Sequence, residues 1–201
     1  MVYGCDELHE RILDAALARM LQVGIRRASL DDIARRSGVS RVTIYRRFTT
    51  KENLIDATIA REIQRVLTAV ATVAPADGTL DAQIEAMVRY VLRQTQTHPL
   101  VTQLLEIAPE EILGFYTVRG EQAVGLGVYY IVEVLEGAQR RGLIGRYDTR
   151  PVAELLARLM HSVFLTPTGG VDFRDEATSG AFIAQCVVPM IKHGIPSHAL
   201  R

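Results

Sequence analysis

The residues between Arg41 and Lys51 have one kind of chemistry in common. Arg41, Thr43, Tyr45, Arg46, Arg47 and Lys51 bring guanidinium, ammonium and hydroxyl donors into a single short stretch. A guanidinium can donate two parallel hydrogen bonds to a guanine edge, and all of these groups can hold phosphate oxygens. Eight basic residues (Arg26, Arg27, Arg35, Arg36, Arg41, Arg46, Arg47, Lys51) stand here against three acids (Asp31, Asp32, Glu52). Such a surface suits a phosphate backbone. A solvated arginine-rich face on a small bundle would have the same charge, so the choice rests on the elements that carry these residues.

Those elements read as a helix-turn-helix. Ser29 is a good N-cap, and Asp32 stands three residues later, a capping box with Asp in place of Glu. The spacing predicts a first helix from about Leu30 to Ser37. Gly38 supplies the turn, where a positive φ costs little. Ser40 caps a second helix, Arg41 to about Phe48. Ile33, Ala34, Val39 and Ile44 fall on the inner side, and Ala34 is small enough for two helices to cross closely. A helix of this size fits the major groove with its N-terminal residues at base edges. Arg41, Val42 and Thr43 are therefore the expected base-facing residues. Tyr45, Arg46, Arg47 and Lys51 are the expected phosphate contacts, with the caps Ser29 and Ser40 beside them.

From about Leu8 to Ile59 the chain resembles the DNA-binding domain of TetR-type transcriptional regulators. The resemblance rests on ILDAALARML, on Gly24 and on SLDDIARRSGVSRVTIYRRFTTKENLI, most specifically on IYRRF followed by Lys51-Glu52-x-Leu54. It covers about a quarter of the chain. It implies backbone contacts for Tyr45 and Lys51. A small residue such as Gly is common in the family where this chain has Val42. Val42 would then either meet a thymine methyl or act as a steric selector. The C-terminal half of the family diverges widely, so there the resemblance implies an architecture and no particular ligand.

Composition agrees with a folded chain, and the elements that its pattern predicts are all helices, so an all-α fold is expected. Of its 201 residues 48% are hydrophobic, enough for a sizeable core, and the net charge is zero. Residues 1–74 carry a net +3 and residues 75–201 a net −3, the sign expected for a DNA-binding head on an acidic body. No apolar run approaches the eighteen or so residues that cross a membrane, and the first residues make no signal peptide, so a cytoplasmic protein is expected. Cys5 and Cys186 form no metal or redox motif.

The expected order is a helix from about Glu7, capped by Asp6, to Val23; the helix-turn-helix; and a connecting helix over about 50–74. Pro75-Ala-Asp-Gly78 marks a boundary, so the head is placed at 1–50 and the body at 75–201. In the body, helices are expected over Leu80–Thr97, Pro99–Ile107, Pro109–Arg141 (bent around its glycines), Pro151–Phe164 and Asp175–His193. No enzyme motif stands out. Gly120 to Gly127 lacks the strand a phosphate loop follows. The five histidines show no i, i+4 pair, and Glu110-Glu111 read as helix-start charges rather than a catalytic pair. No cofactor and no metal are expected.

Two further surfaces follow. Family members hold a ligand among the central helices of the body. Carried over, this makes Met87, Tyr90, Leu104, Phe115, Tyr116, Tyr129 and His161 the lining of a mostly apolar pocket for an aromatic or lipid-like molecule. The last two helices have apolar faces wider than one core stripe needs, which points to a second partner. Leu155, Leu159 and Val163 lie on one; Phe182, Ile183, Cys186, Val187 and Met190 lie on the other. In the family these helices form a four-helix dimer interface. The expected protein is thus a homodimeric repressor on a palindromic operator, released by an unknown small molecule that tilts the connecting helix. A sensor or carrier of the same fold, without specific DNA recognition, is the alternative.

Overall fold

The computed structural model describes residues 7–118, 120–166 and 169–195, the side chains of Ile112 and Phe115 excepted. Cys5, the expected cap Asp6, Arg119 and the Phe115 side chain lie outside the described residues. Every element described is helical. In chain order these are α1 (Glu7–Val23), α2 (Leu30–Ser37), α3 (Arg41–Phe48), α4 (Lys51–Val70), α5 (Leu80–Thr97) and α6 (Pro99–Ile107). There follow α7 (Pro109–Val118), α8 (Gly120–Arg140), α9 (Thr149–Leu165), α10 (Glu176–Phe182), a π-helical turn at Ile183–Val187, and α11 (Val188–His193). No helix among them is long and apolar enough to cross a membrane.

The chain forms two compact units that do not follow its linear order. The first is Met1–Gln64 with Pro99–Phe115; the second is Arg65–His98 with Tyr116–Arg201. Pro75–Gly78 is a tight turn inside the second unit, closed by the Gly78 amide donating to the Pro75 carbonyl at 3.2 Å.

The core of the first unit is built from one stripe of each head helix. Ile12, Leu13 and Ala16 of α1 meet Ile33 and Ala34 of α2, Ile44 and Phe48 of α3, and Leu54 of α4. Gly24 ends α1 at φ +85°, and a Cβ there would stand 3.1 Å from that of Ala108, so α6 and α7 approach where a side chain would not fit. Polar contacts fasten α4 to α1. The Arg61 guanidinium, 9% exposed, lies 2.8 Å from Asp14, 3.1 Å from Glu10 and 3.0 Å from Glu62. A cation so buried is stable only when surrounded by acceptors in this way.

In the second unit α5, α8, α9 and the α10–α11 segment enclose Ile84, Leu92, Leu135, Val152, Leu156, Val163, Ile183 and Val187. Of the expected helix from Pro109 to Arg141, the described residues are helical over Pro109–Val118 and Gly120–Arg140. The expected helix from Asp175 to His193 is interrupted by the π turn, and Pro189 is the physical reason. Its nitrogen has no hydrogen for the Gln185 carbonyl, so the chain widens to a turn in which the Val188 amide reaches the Ile183 carbonyl. Past α11, Gly194 at φ +75° lies against Tyr147, whose hydroxyl donates to the Ile191 carbonyl at 2.5 Å.

Candidate DNA-binding site

The helix-turn-helix forms from the residues that predict it. Ser29 caps α2, its hydroxyl accepting the Asp32 amide at 3.1 Å. The capping box is only half made. The Asp32 carboxylate turns to Arg19, at 3.0 Å, and to Arg35, rather than back to the cap. The Ser29 hydroxyl, helped by these two guanidinium groups, holds that carboxyl below the usual range against the opposing effect of desolvation. Gly38 sits at φ 68°, ψ 31°, and its amide bonds the last carbonyls of α2. Arg11 donates to the Ser37 carbonyl at 2.5 Å and ties this turn to α1. Ser40 then caps α3 through the Thr43 amide at 3.2 Å.

Ile44 and Phe48, 1% and 5% exposed, fix α3 in the core and so decide which of its residues face outward. Arg41, Val42, Tyr45, Arg46 and Arg47 are exposed. Val42 is 75% exposed, a large apolar side chain with nothing of its own unit to cover it. Thr43 is half-buried, and its hydroxyl lies 3.0 Å from that of Ser40. Arg41 stands 3.3 Å from Asp31 of α2, with its guanidinium carbon 5.9 Å from the centre of the Tyr45 ring. Sequence reasoning did not single out Asp31 as a partner for Arg41, because ten residues and a turn separate them. Lys51, in the first turn of α4, donates to the Arg26 carbonyl at 2.7 Å. The nine residues expected at the DNA all belong to the first unit, on α3 or at the starts of α2, α3 and α4.

The residues expected around a ligand are not gathered in this way. Met87, Tyr90, Tyr116 and His161 are half-buried in the second unit. Of these, Tyr116 and His161 meet directly: the His161 Nε2 lies 2.7 Å from the Tyr116 carbonyl, and the Tyr116 ring packs 3.9 Å from that of Phe164. Burial pushes the Tyr116 phenol up to about 12. Leu104 is fully buried on α6, in the first unit. Tyr129 is 71% exposed on the outer side of α8 and does not join the others, because the buried stripe of that helix runs through Val124 and Leu135.

The residues expected at a dimer interface also divide. Val163, Ile183 and Val187 are 2%, 0% and 1% exposed and belong to the intramolecular core of the second unit, since α9 and the π turn both pack on α5. Leu159, Phe182 and Met190 are half-buried against that core. Leu155, 52% exposed, and Cys186 face outward.

Comparison with known proteins bears on the same elements. Residues 12–58 match the family model described as bacterial regulatory proteins, tetR family. An uncharacterised HTH-type transcriptional regulator of Mycobacterium bovis is 28% identical over 156 residues, spanning 76% of this chain and 77% of its own. The HTH-type transcriptional repressor KstR of Mycolicibacterium smegmatis is 32% identical over 99 residues, 49% of this chain and 48% of that one. The crystal structure of the TetR family repressor AlkX from Dietzia sp. strain DQ12-45-1b superposes with a TM-score of 0.71 at 16% identity, over 94% of this chain and 97% of that one. The match to the family model begins within α1 and ends within α4, taking in every residue assigned above to the DNA face. Residues 12–58 thus match the tetR family of bacterial regulatory proteins, and the all-helical fold is shared along nearly the whole chain with the structure of a family repressor.

Proposed function

We propose that this protein is a homodimeric repressor whose two heads bind the half-sites of a palindromic operator and leave it when a small apolar or aromatic molecule binds the body. The observation that carries the DNA-binding part is the outer side of α3. Arg41, Val42, Tyr45, Arg46 and Arg47 are exposed there while Ile44 and Phe48 hold the helix rigidly in the core. An apolar residue 75% exposed among arginines suits contact with a base methyl group better than contact with water. In this reading Arg41, Val42 and Thr43 face base edges. Tyr45, Arg46, Arg47 and Lys51 hold phosphates, with Ser29 and Ser40 at the helix starts beside them.

Dimerisation is supported by the exposed apolar residues of the second unit, Leu155 on α9 and Tyr129 on α8, two helices that pack on each other. For a ligand, the support is the Tyr116, Phe164 and His161 cluster, apolar with polar ends. The test is a gel shift on the DNA upstream of the protein's own gene, with an unrelated fragment as competitor, repeated with whatever small molecule co-purifies. Retarded specific DNA, released by that molecule, is the expected result. Equal affinity for both fragments would reduce the protein to a sensor or carrier without specific recognition.

A further inference from the structure

Glu111 sits on α7, 85 residues along the chain from Arg26, and its side chain is 8% exposed. A carboxylate so buried needs partners. Its Oε2 accepts the backbone amide of Arg26 at 3.0 Å, and its Oε1 lies 3.9 Å from the Nε of the same residue. The carboxylate lies against Gly24, where a Cβ would come within 3.3 Å of Oε2. The peptide groups of the turn between α1 and α2 are thus held from one side by Glu111. On the other side the Arg26 carbonyl accepts from Lys51 at 2.7 Å. Glu111 therefore fixes the amide of a residue whose carbonyl fixes Lys51.

The geometry points to Glu111 as a positioning residue for DNA binding: through the Arg26 backbone it sets the place of the Lys51 ammonium at the start of α4. An ammonium has three donors on a flexible stem. One of them spent on a rigid carbonyl leaves two for a phosphate, and the stem no longer has to be ordered when DNA arrives. The hydrogen bond to Glu111 is charge-assisted, and so stronger than one between neutral groups. The head's grip on DNA thereby depends on a residue outside the helix-turn-helix. This inference rests on the reading of Lys51 as a phosphate contact.

A double-mutant cycle on the full chain tests it, with Glu111→Ala, Glu111→Gln and Lys51→Ala, binding being measured on the operator and on unrelated DNA over a range of salt. Glu111→Ala should weaken both DNAs about three- to tenfold and flatten the salt dependence, with no change in sequence preference. Glu111→Gln keeps an acceptor for the Arg26 amide and should recover part of the loss. In the Lys51→Ala background, Glu111→Ala should have no further effect. Additive losses would overturn the positioning role and make Glu111 a plain structural contact. A Lys51→Ala protein that binds as well as the native one would remove the phosphate contact, and this role with it. Circular dichroism on each variant guards the comparison, and Glu111→Gln stands in if Glu111→Ala unfolds.

Discussion

Arg41 and Tyr116 show how much a single side chain's surroundings decide. Arg41 is solvent-facing, but it is not loose: Asp31 and the Tyr45 ring hold its guanidinium to one side of α3. An exposed ion pair of this kind contributes little to stability, so its value lies in aim. Replacing Arg41 by alanine should leave the fold intact and relax base preference at one position in each half-site, by about 1–3 kcal/mol of discrimination. Selection of binding sites from random DNA reads this directly; an unchanged preference would move Arg41 to the phosphates. Tyr116 is the opposite case. Burial raises its phenol to about 12 in the folded chain from an ordinary 10.0. A raised folded value means the stabilisation is complete below about pH 10 and is lost as pH rises through about 12. Denaturant unfolding across that interval should show the native chain losing about 2 to 3 kcal/mol more than Tyr116→Phe. The variant keeps the ring against Phe164, and the comparison cancels the smaller upward shifts of Tyr130 and Tyr147.

Helices and turns were legible in the sequence wherever their signals are local. Ser29, Gly38, Ser40 and Gly24 act through their own backbone and its near neighbours, and each does in the structure what its type implies. Gly38 gives a direct test. At φ 68° an alanine is strained, and its Cβ would lie 3.1 Å from the Arg11 guanidinium that braces the turn. Gly38→Ala should cost about 1–2 kcal/mol in unfolding free energy and weaken operator binding, because the angle between α2 and α3 moves. What was not legible depends on distant partners. Glu111 reads in sequence as an ordinary helix-start acid, and only the fold brings it to Arg26. Pro189 is a different matter: it stands in plain view, and its missing hydrogen removes a bond that a regular α-helix would make there. The apolar stripe of α9 was legible, but not which of its residues would be covered within the chain. Periodicity gives a face, and packing partners decide what lies in its centre.

At the scale of the whole molecule the open matter is the partner copy, and two positions separate the ways a second chain could be involved. Val187 is 1% exposed in the core of the second unit, among Ile84, Val152, Leu156 and Ile183. A glutamate there puts an unpaired charge into the interior, which costs several kcal/mol or forces protonation. Val187→Glu should therefore unfold the second unit whether or not the protein dimerises. Leu155, on α9 of the same unit, is 52% exposed, so a glutamate at that position meets water in a lone chain. If α9 pairs across a two-fold axis, each Leu155→Glu interface carries two charges, because the same patch serves both copies. The variant should then be a monomer with native helicity, and its operator affinity should fall because one head makes half the contacts. Sedimentation and far-ultraviolet dichroism on one sample decide the matter. A Leu155→Glu protein that keeps both its helicity and a dimer's mass places the interface elsewhere, with Tyr129 of α8, 71% exposed, the next position to charge. If helicity is lost together with mass, Leu155 supports its own unit more than its exposure indicates.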